Sequence, residues 1–205
     1  EHVIVATSFG HAARLTRDPA ALETAQSFRM GAWLVANLTL RRRPRSIGFP
    51  EAWDNVLYES PSLGYVVATH QRDLPVQGPT VWTYYLPLTD ADPRAARRRL
   101  QALTFAEASQ LVIADLARAH PDLADCIERI DVWRWGHAMA RPYPGFYFGA
   151  ARKQALQPRG NIHFASADVG GLPLFEEAQY QGVRAAEATL AALGRATPSL
   201  IVSNN

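Results

Sequence analysis

The sequence predicts an α+β chain: an antiparallel or mixed sheet with helices on one face, plus an α/β fragment built from the two ends of the chain. Three observations carry this. Strand-like segments dominate residues 32–88 and return at 127–135. Between them, residues 93–103 and 104–119 place apolar side chains at three- and four-residue spacing. The ends supply a short apolar run near the start and a strand, loop and long helix after residue 160, the order of an α/β layer.

Val3-Ile4-Val5-Ala6-Thr7 is a continuous run rich in β-formers and reads as a buried strand. Ser8-Phe9-Gly10 turns it. Residues 11–15 and 18–29 read as helical, with Asp18 as N-cap and Pro19 at the first helical position. Ala32 to Arg41 reads as a strand, ended by Arg41-Arg42-Arg43-Pro44-Arg45. That basic run reads as a solvated loop, with phosphate contact as the functional alternative. Trp53 to Glu59 and Gly64 to Gln71 read as a hairpin across Ser60-Pro61-Ser62-Leu63. Val81 to Leu88 is a further strand, ending at Asp90.

Pro93 to Leu103 and Thr104 to Ala119 are the two helices. The second opens on a capping box, Thr104 with Glu107, and stops at Pro121. Arg97-Arg98-Arg99 reads as the wet face of the first. Ile127 to Trp135 is a strand, Arg141 to Gly145 an ordered loop, and Asn161 to Ala165 a short strand. A loop over 167–173 carries Gly170-Gly171. Leu174 to Leu193 is a long helix ended by Gly194, and the last residues are a tail.

Composition narrows the function classes. With 205 residues, 48% of them apolar, the chain can bury one large core or two small ones. A net charge of +2 argues against nucleic acid as a general partner. Cys126 is alone, which excludes an internal disulfide and a paired-cysteine metal site; beside Ile127 and Ile130 it reads as a buried structural thiol. The histidines show no metal-ligand spacing, so no metal residues are assigned. No apolar run reaches the ~18 residues of a membrane-spanning helix. The start at Glu1-His2, one residue before a strand, reads as a fragment or processed chain. The compartment stays open: bacterial cytoplasm, or periplasm if an export signal precedes Glu1.

The segment with the strongest chemical signal is Ile162-His163-Phe164-Ala165-Ser166-Ala167-Asp168, then Gly170-Gly171, then Phe175-Glu176-Glu177-Ala178-Gln179-Tyr180-Gln181-Gly182-Val183-Arg184-Ala185-Ala186. A strand feeds a small-residue loop that lets backbone approach a ligand, and a helix start offers free N–H groups to an electron-rich group. Ala178, Gly182, Ala185 and Ala186 form a small-residue face suited to close packing. The segment resembles the C-terminal FAD-binding segment of the flavin amine oxidase superfamily, which includes amine oxidases, protoporphyrinogen oxidase and phytoene desaturase. The resemblance implies a strand and a strand–loop–helix from a Rossmann-like FAD-binding domain, with Ser166, Asp168, Leu174, Phe175 and Ala178 against the cofactor. Ser166 stands where the family has Gly, Glu177 replaces Gly and Gln181 replaces Ser or Ala.

Val3–Thr7 resembles the strand that leaves the family's FAD domain. Val132–Met139 with Arg141-Pro142-Tyr143-Pro144-Gly145 resembles the strand and loop lining the space over the flavin. The implied layout is 1–15 and 158–193 as returning pieces of an FAD-binding domain, 28–155 as a substrate-binding domain, and 194–205 as a tail. Asn37 and Trp135 are the implied substrate contacts.

Two departures put amine oxidation in doubt. The strand over 33–40 lacks the family's Lys, and Leu174 stands where amine oxidases carry an aromatic residue. The family's Gly-x-Gly-x-x-Gly, which grips the pyrophosphate, is absent. The expected function is therefore part of an FAD-dependent oxidoreductase that oxidises or desaturates a small organic substrate by hydride transfer. Its partner would be a missing N-terminal FAD-binding segment. Alone, the chain is expected to be inactive, to hold FAD weakly or not at all, and to self-associate through exposed apolar surface. The rival readings are a structural or interaction module, and a flavin fold without redox chemistry.

Overall fold

A computed structural model describes residues 1–70, 78–89 and 92–201. Two compact units emerge: Gly31–Ala138, and Glu1–Met30 with Met139–Asn205. Gln71, Asp90 and residues 202–205, which close two expected strands and the tail, lie outside the described residues.

The central unit is built on β2 (Met30–Leu40), β3 (Asp54–Asn55), β4 (Tyr65–Val67), β5 (Thr80–Leu88) and β6 (Ile127–Ala140). They form one sheet in the order β3-β4-β5-β2-β6. β2 and β5 pair antiparallel from Ala32↔Leu88 to Leu40↔Thr80. The strand period of two decides which residues are core. Ala32, Leu34, Ala36, Leu38 and Leu40 face inward with Trp82, Tyr84, Leu86 and Leu88. Against that face pack α3 (Pro93–Ala102), through Ala96 and Leu100, and α4 (Phe105–Leu116), through Ala108, Val112 and Leu116. Thr104 and Glu107 form the expected capping box of α4. Helices on one face of a mostly antiparallel sheet is the arrangement the sequence predicts.

The expected strand over 53–59 shrinks to β3. The cause is a polar anchor that holds the following loop: the buried Asp115 carboxylate accepts from Ser60 Oγ (2.7 Å), Ser62 Oγ (2.8 Å) and Tyr84 Oη (2.9 Å). Gly64 has φ +80°, and a Cβ there would collide with the Asn55 carbonyl. In contrast, β6 runs five residues past the expected end. α5 (Leu123–Cys126) was not expected; it buries Cys126, whose thiol donates to Asp122 O at 3.2 Å. Arg97 is not on a wet face, because its Nε donates to Gly136 O at 2.7 Å and burial lowers its pKa. The basic run is held by acids: Arg42 and Arg45 meet Asp122, and Arg43 meets Glu51.

The terminal unit holds β1 (Val3–Val5) and β7 (Ile162–Phe164), paired parallel from Val3↔Ile162 to Val5↔Phe164. Around them lie α1 (Phe9–Thr16), α2 (Pro19–Ala25), α6 (Ala150–Ala155), α7 (Ala167–Gly170) and α8 (Phe175–Ala192). α1 begins where a turn was expected. Asp18 caps α2 as expected, accepting from Ala21 N at 2.6 Å. α6 and α7 were not expected; both are short and packed, so their sequences carry too few turns for a helical period to show.

Phe9, Ala12, Ala13, Ala21, Ala155, Phe164 and Val169 make a small core, joined by Phe28, whose ring lies 5.0 Å from that of Phe9. The expectation of a buried first strand fails. Val3 is 51% and Ile4 40% exposed. Among the described residues β1 pairs with β7 alone in a two-stranded sheet, so its other edge, with Val3 and Ile4, stays open.

Candidate functional site

In the terminal unit the residues picked from sequence gather along β7, α7 and the start of α8. β1–β7 pairing extends one step beyond β7, Ala165 N donating to Val5 O at 3.1 Å. Ser166 follows in extended conformation at the head of α7, and its Oγ is buried with no hydrogen-bond partner. A buried hydroxyl left unpaired is costly and marks a place where a further polar group belongs.

Asp168 is buried, and its Oδ2 accepts from Phe9 N at 2.9 Å. That carboxylate supplies the N-terminal cap that Ser8 does not give α1. Burial pushes the Asp168 carboxyl above its ordinary value, opposed by the Phe9 N–H and by His11. Its first role is thus to bind α7 to α1 across 159 residues of sequence.

Gly170-Gly171 earns both glycines. A Cβ on Gly170 would collide with the Glu177 carboxylate, and Gly171, at φ +87°, lies against Arg152. Arg152 pins the loop from α6: its Nε donates to Gly170 O at 2.6 Å and its guanidinium lies 4.3 Å from the Tyr147 ring centre. The chain then enters α8 at Leu174, with no side chain capping the helix. Leu174 is 52% and Phe175 78% exposed, so the helix start presents uncapped N–H groups between two open apolar side chains. Ala178 lies one turn further and is partly buried.

Not every expectation about α8 holds. Ala185 is buried, but a Cβ on Gly182 would meet nothing within 4 Å, so the small-residue face is not tightly packed there. One buried side chain of the helix lies outside the expected cofactor contacts. Gln181, 2% exposed, donates to Glu177 Oε1 at 2.8 Å and accepts from Arg184 Nε at 2.6 Å. Arg184 also donates to Leu156 O and Phe164 O, tying α8 to α6 and β7. The available signal was a glutamine and an arginine three residues apart on one helix face.

In the central unit, Asn37 and Trp135 share the sheet face opposite the helices. On β2, the neighbours Ala36 and Leu38 point into the core, so Asn37 points away. On β6, Arg134 donates to the carbonyls of Gln101 and Leu103, and Gly136 lies against Arg97, so Trp135 points away as well. Trp135 is 52% exposed. Asn37 Oδ1 is buried without a partner. Its cross-strand neighbour is Thr83. Tyr85, two residues along the same face, has its pKa raised by burial and then by Asp54.

Among the described residues no cluster of His, Cys, Asp or Glu could hold a metal, and no helix is long and apolar enough to cross a membrane. A flavin ring suits the terminal unit: the unpaired Ser166 hydroxyl, the close loop and the uncapped α8 start could meet its polar edge, and Leu174 and Phe175 its apolar body.

Comparison with known proteins bears on the fold. The chain matches 95% of its length to cyclohexylamine oxidase from Brevibacterium oxydans IH-35A, at TM-score 0.64 and 18% identity. It matches 93% of its length to wild-type putrescine oxidase bound to putrescine, at TM-score 0.62 and 14% identity. It matches 99% of its length to reduced UDP-galactopyranose mutase, at TM-score 0.58 and 13% identity. These likenesses show the fold, and the chain spans about 43%, 42% and 43% of those structures. No curated protein sequence matches it. The sequence model of the family described as "Flavin containing amine oxidoreductase" matches residues 1–190, and the chain belongs to that family.

Proposed function

We propose that this chain supplies the substrate-binding domain and the flavin-ring end of the cofactor domain of an FAD-dependent oxidoreductase, which oxidises or desaturates a small organic substrate. The observation that carries it is the start of α8, uncapped and flanked by exposed Leu174 and Phe175, beside the unpaired Ser166 hydroxyl. FAD held there would supply the hydride acceptor. The chain's own residues position it: Arg152 and the two glycines fix the loop, and the positive end of α8 favours negative charge on a reduced ring.

Residues 1–15 and 158–193 are the returning cofactor-domain pieces and 28–155 the substrate domain, of which 139–155 pack with the cofactor-domain pieces in the terminal unit. Asn37 and Trp135 stand on the sheet face that would meet substrate, the first offering a carbonyl oxygen and the second a ring. The absent strand lysine and Leu174 point away from amine substrates. A mutase shares the fold, so fold alone does not select the reaction. The pyrophosphate end of FAD needs a glycine-rich turn that this sequence lacks, and the exposed parallel pair β1–β7 suits a further strand as partner.

The test is a polypeptide comprising this chain together with the residues encoded upstream of Glu1. The expected result is a yellow protein whose flavin bleaches anaerobically with an organic hydride donor. A colourless product after incubation with excess FAD would overturn the proposal.

A further inference from the structure

A cleft of about 520 Å³ opens in the central unit, lined among others by Ile47, Val56, Tyr58, Tyr65, Arg118 and His120. It holds none of the residues discussed above as cofactor or substrate contacts. Its volume falls in the range of small-molecule sites, roughly 300–1,000 Å³.

The floor is rigid and neutral. His120 is 3% exposed; its Nε2 is 2.8 Å from Tyr65 Oη and its Nδ1 is 3.1 Å from Arg45 O. The Nδ1–H donates to that carbonyl and Nε2 accepts from the tyrosine, which leaves an uncharged ring. Tyr65 stacks on Trp82 at 4.0 Å. The rim is apolar and open: Ile47 is 64%, Phe49 92%, Val56 73% and Tyr58 89% exposed. Four large apolar side chains exposed around one concavity mark a surface that something covers.

Charge selects the occupant. Two ionised side chains belong to cleft residues, Asp54 and Arg118. Asp54 pairs with Val66 and so points to the opposite face of the sheet from Asn55 and Tyr65. Arg118 is the cation at the cleft. Its NH1 donates to Glu59 O at 3.2 Å and Asp115 Oδ1 at 3.5 Å, and its NH2 to Tyr58 O at 3.2 Å. The three hydroxyls bind Asp115 Oδ2, and its Oδ1 meets Arg118 in a long ion pair that leaves the Arg118 side chain 46% exposed, with its Nε–H making no bond among these. A planar guanidinium with donors to spare beside an apolar rim fits a carboxylate.

We propose that this cleft binds an amphiphilic monocarboxylate, with its apolar body against Ile47, Val56 and Tyr58 and its carboxylate on Arg118. The proposal is independent of flavin chemistry and concerns the central unit alone.

The test is calorimetric titration of the full chain with decanoate, with decanol as the uncharged comparison. The expected result is saturable one-site binding, about tenfold tighter for decanoate than for decanol, the worth of one charge-assisted hydrogen bond. Arg118→Gln abolishes that preference while decanol binding persists. Because Arg118 also holds the Tyr58–Glu59 loop, Val56→Asp provides a second check at an exposed rim position; it weakens decanoate without altering the fold. Absence of saturable binding, equal affinity for the two probes, or decanoate binding unchanged in Val56→Asp would overturn the proposal.

Discussion

The two units solve the same problem with unequal success. The central unit closes its core: Trp82, Tyr65, Tyr84 and five inward residues of β2 are buried beneath α3 and α4. The terminal unit leaves Val3, Ile4, Leu15, Phe148, Leu174 and Phe175 exposed around a parallel pair of strands. Antiparallel sheets stand with one face covered, while parallel ones are ordinarily covered on both. The difference teaches that strand number decides how complete a core can be: five strands bury one, while two leave a strand edge open. The central unit fits the proposed substrate domain, with its apolar cleft left open. The terminal unit fits the proposed ring end of a cofactor domain.

The contrast can be broken by mutation. The largest effect is expected for Trp82→Ala, which empties the stacked centre of the central core and costs about 3–5 kcal/mol in chemical denaturation. Asp115→Ala should follow at about 1–3 kcal/mol, because it strands the hydroxyls of Ser60, Ser62 and Tyr84. In the terminal unit, Asp168→Ala removes the cap on Phe9 and costs about 0.5–2 kcal/mol. Leu174→Ser with Phe175→Ser should leave stability nearly unchanged but reduce self-association in sedimentation, since both side chains are open.

The smallest effect is a pH slope. Burial holds His120 below its ordinary pKa in the central unit, and burial followed by His2 and Arg184 does so for His163 in the terminal unit. Each native state then binds fewer protons than the unfolded chain, so stability is full above the ordinary histidine value of about 6.5 and falls as pH drops below it. His120→Gln should flatten the His120 share of that slope. An unchanged slope would remove His120 from the account.

Much of this was legible in the sequence. The alternation along β2 and β5 and the capping box of α4 are local signals, and local signals survive without coordinates. The strand–loop–helix carrying Ser166, Asp168 and Phe175 was legible through its small residues and order. What escaped depends on contacts distant in sequence. Asp168 spends its carboxylate on Phe9, Arg97 turns inward to Gly136, and Gln181 lies buried between Glu177 and Arg184. The exposure of Val3 and Ile4 escaped for a different reason. A run of apolar β-formers marks a strand but not the number of strands beside it, and among the described residues β1 has β7 alone.

The central proposal is that this chain carries the ring end of a flavin site without the glycine-rich turn that grips the pyrophosphate. The most direct measurement incubates the purified 205-residue chain with excess FAD, passes it through a desalting column and records the visible spectrum. The account predicts a colourless protein. Retention of one FAD per chain, with its mass confirming no upstream residues, would contradict it.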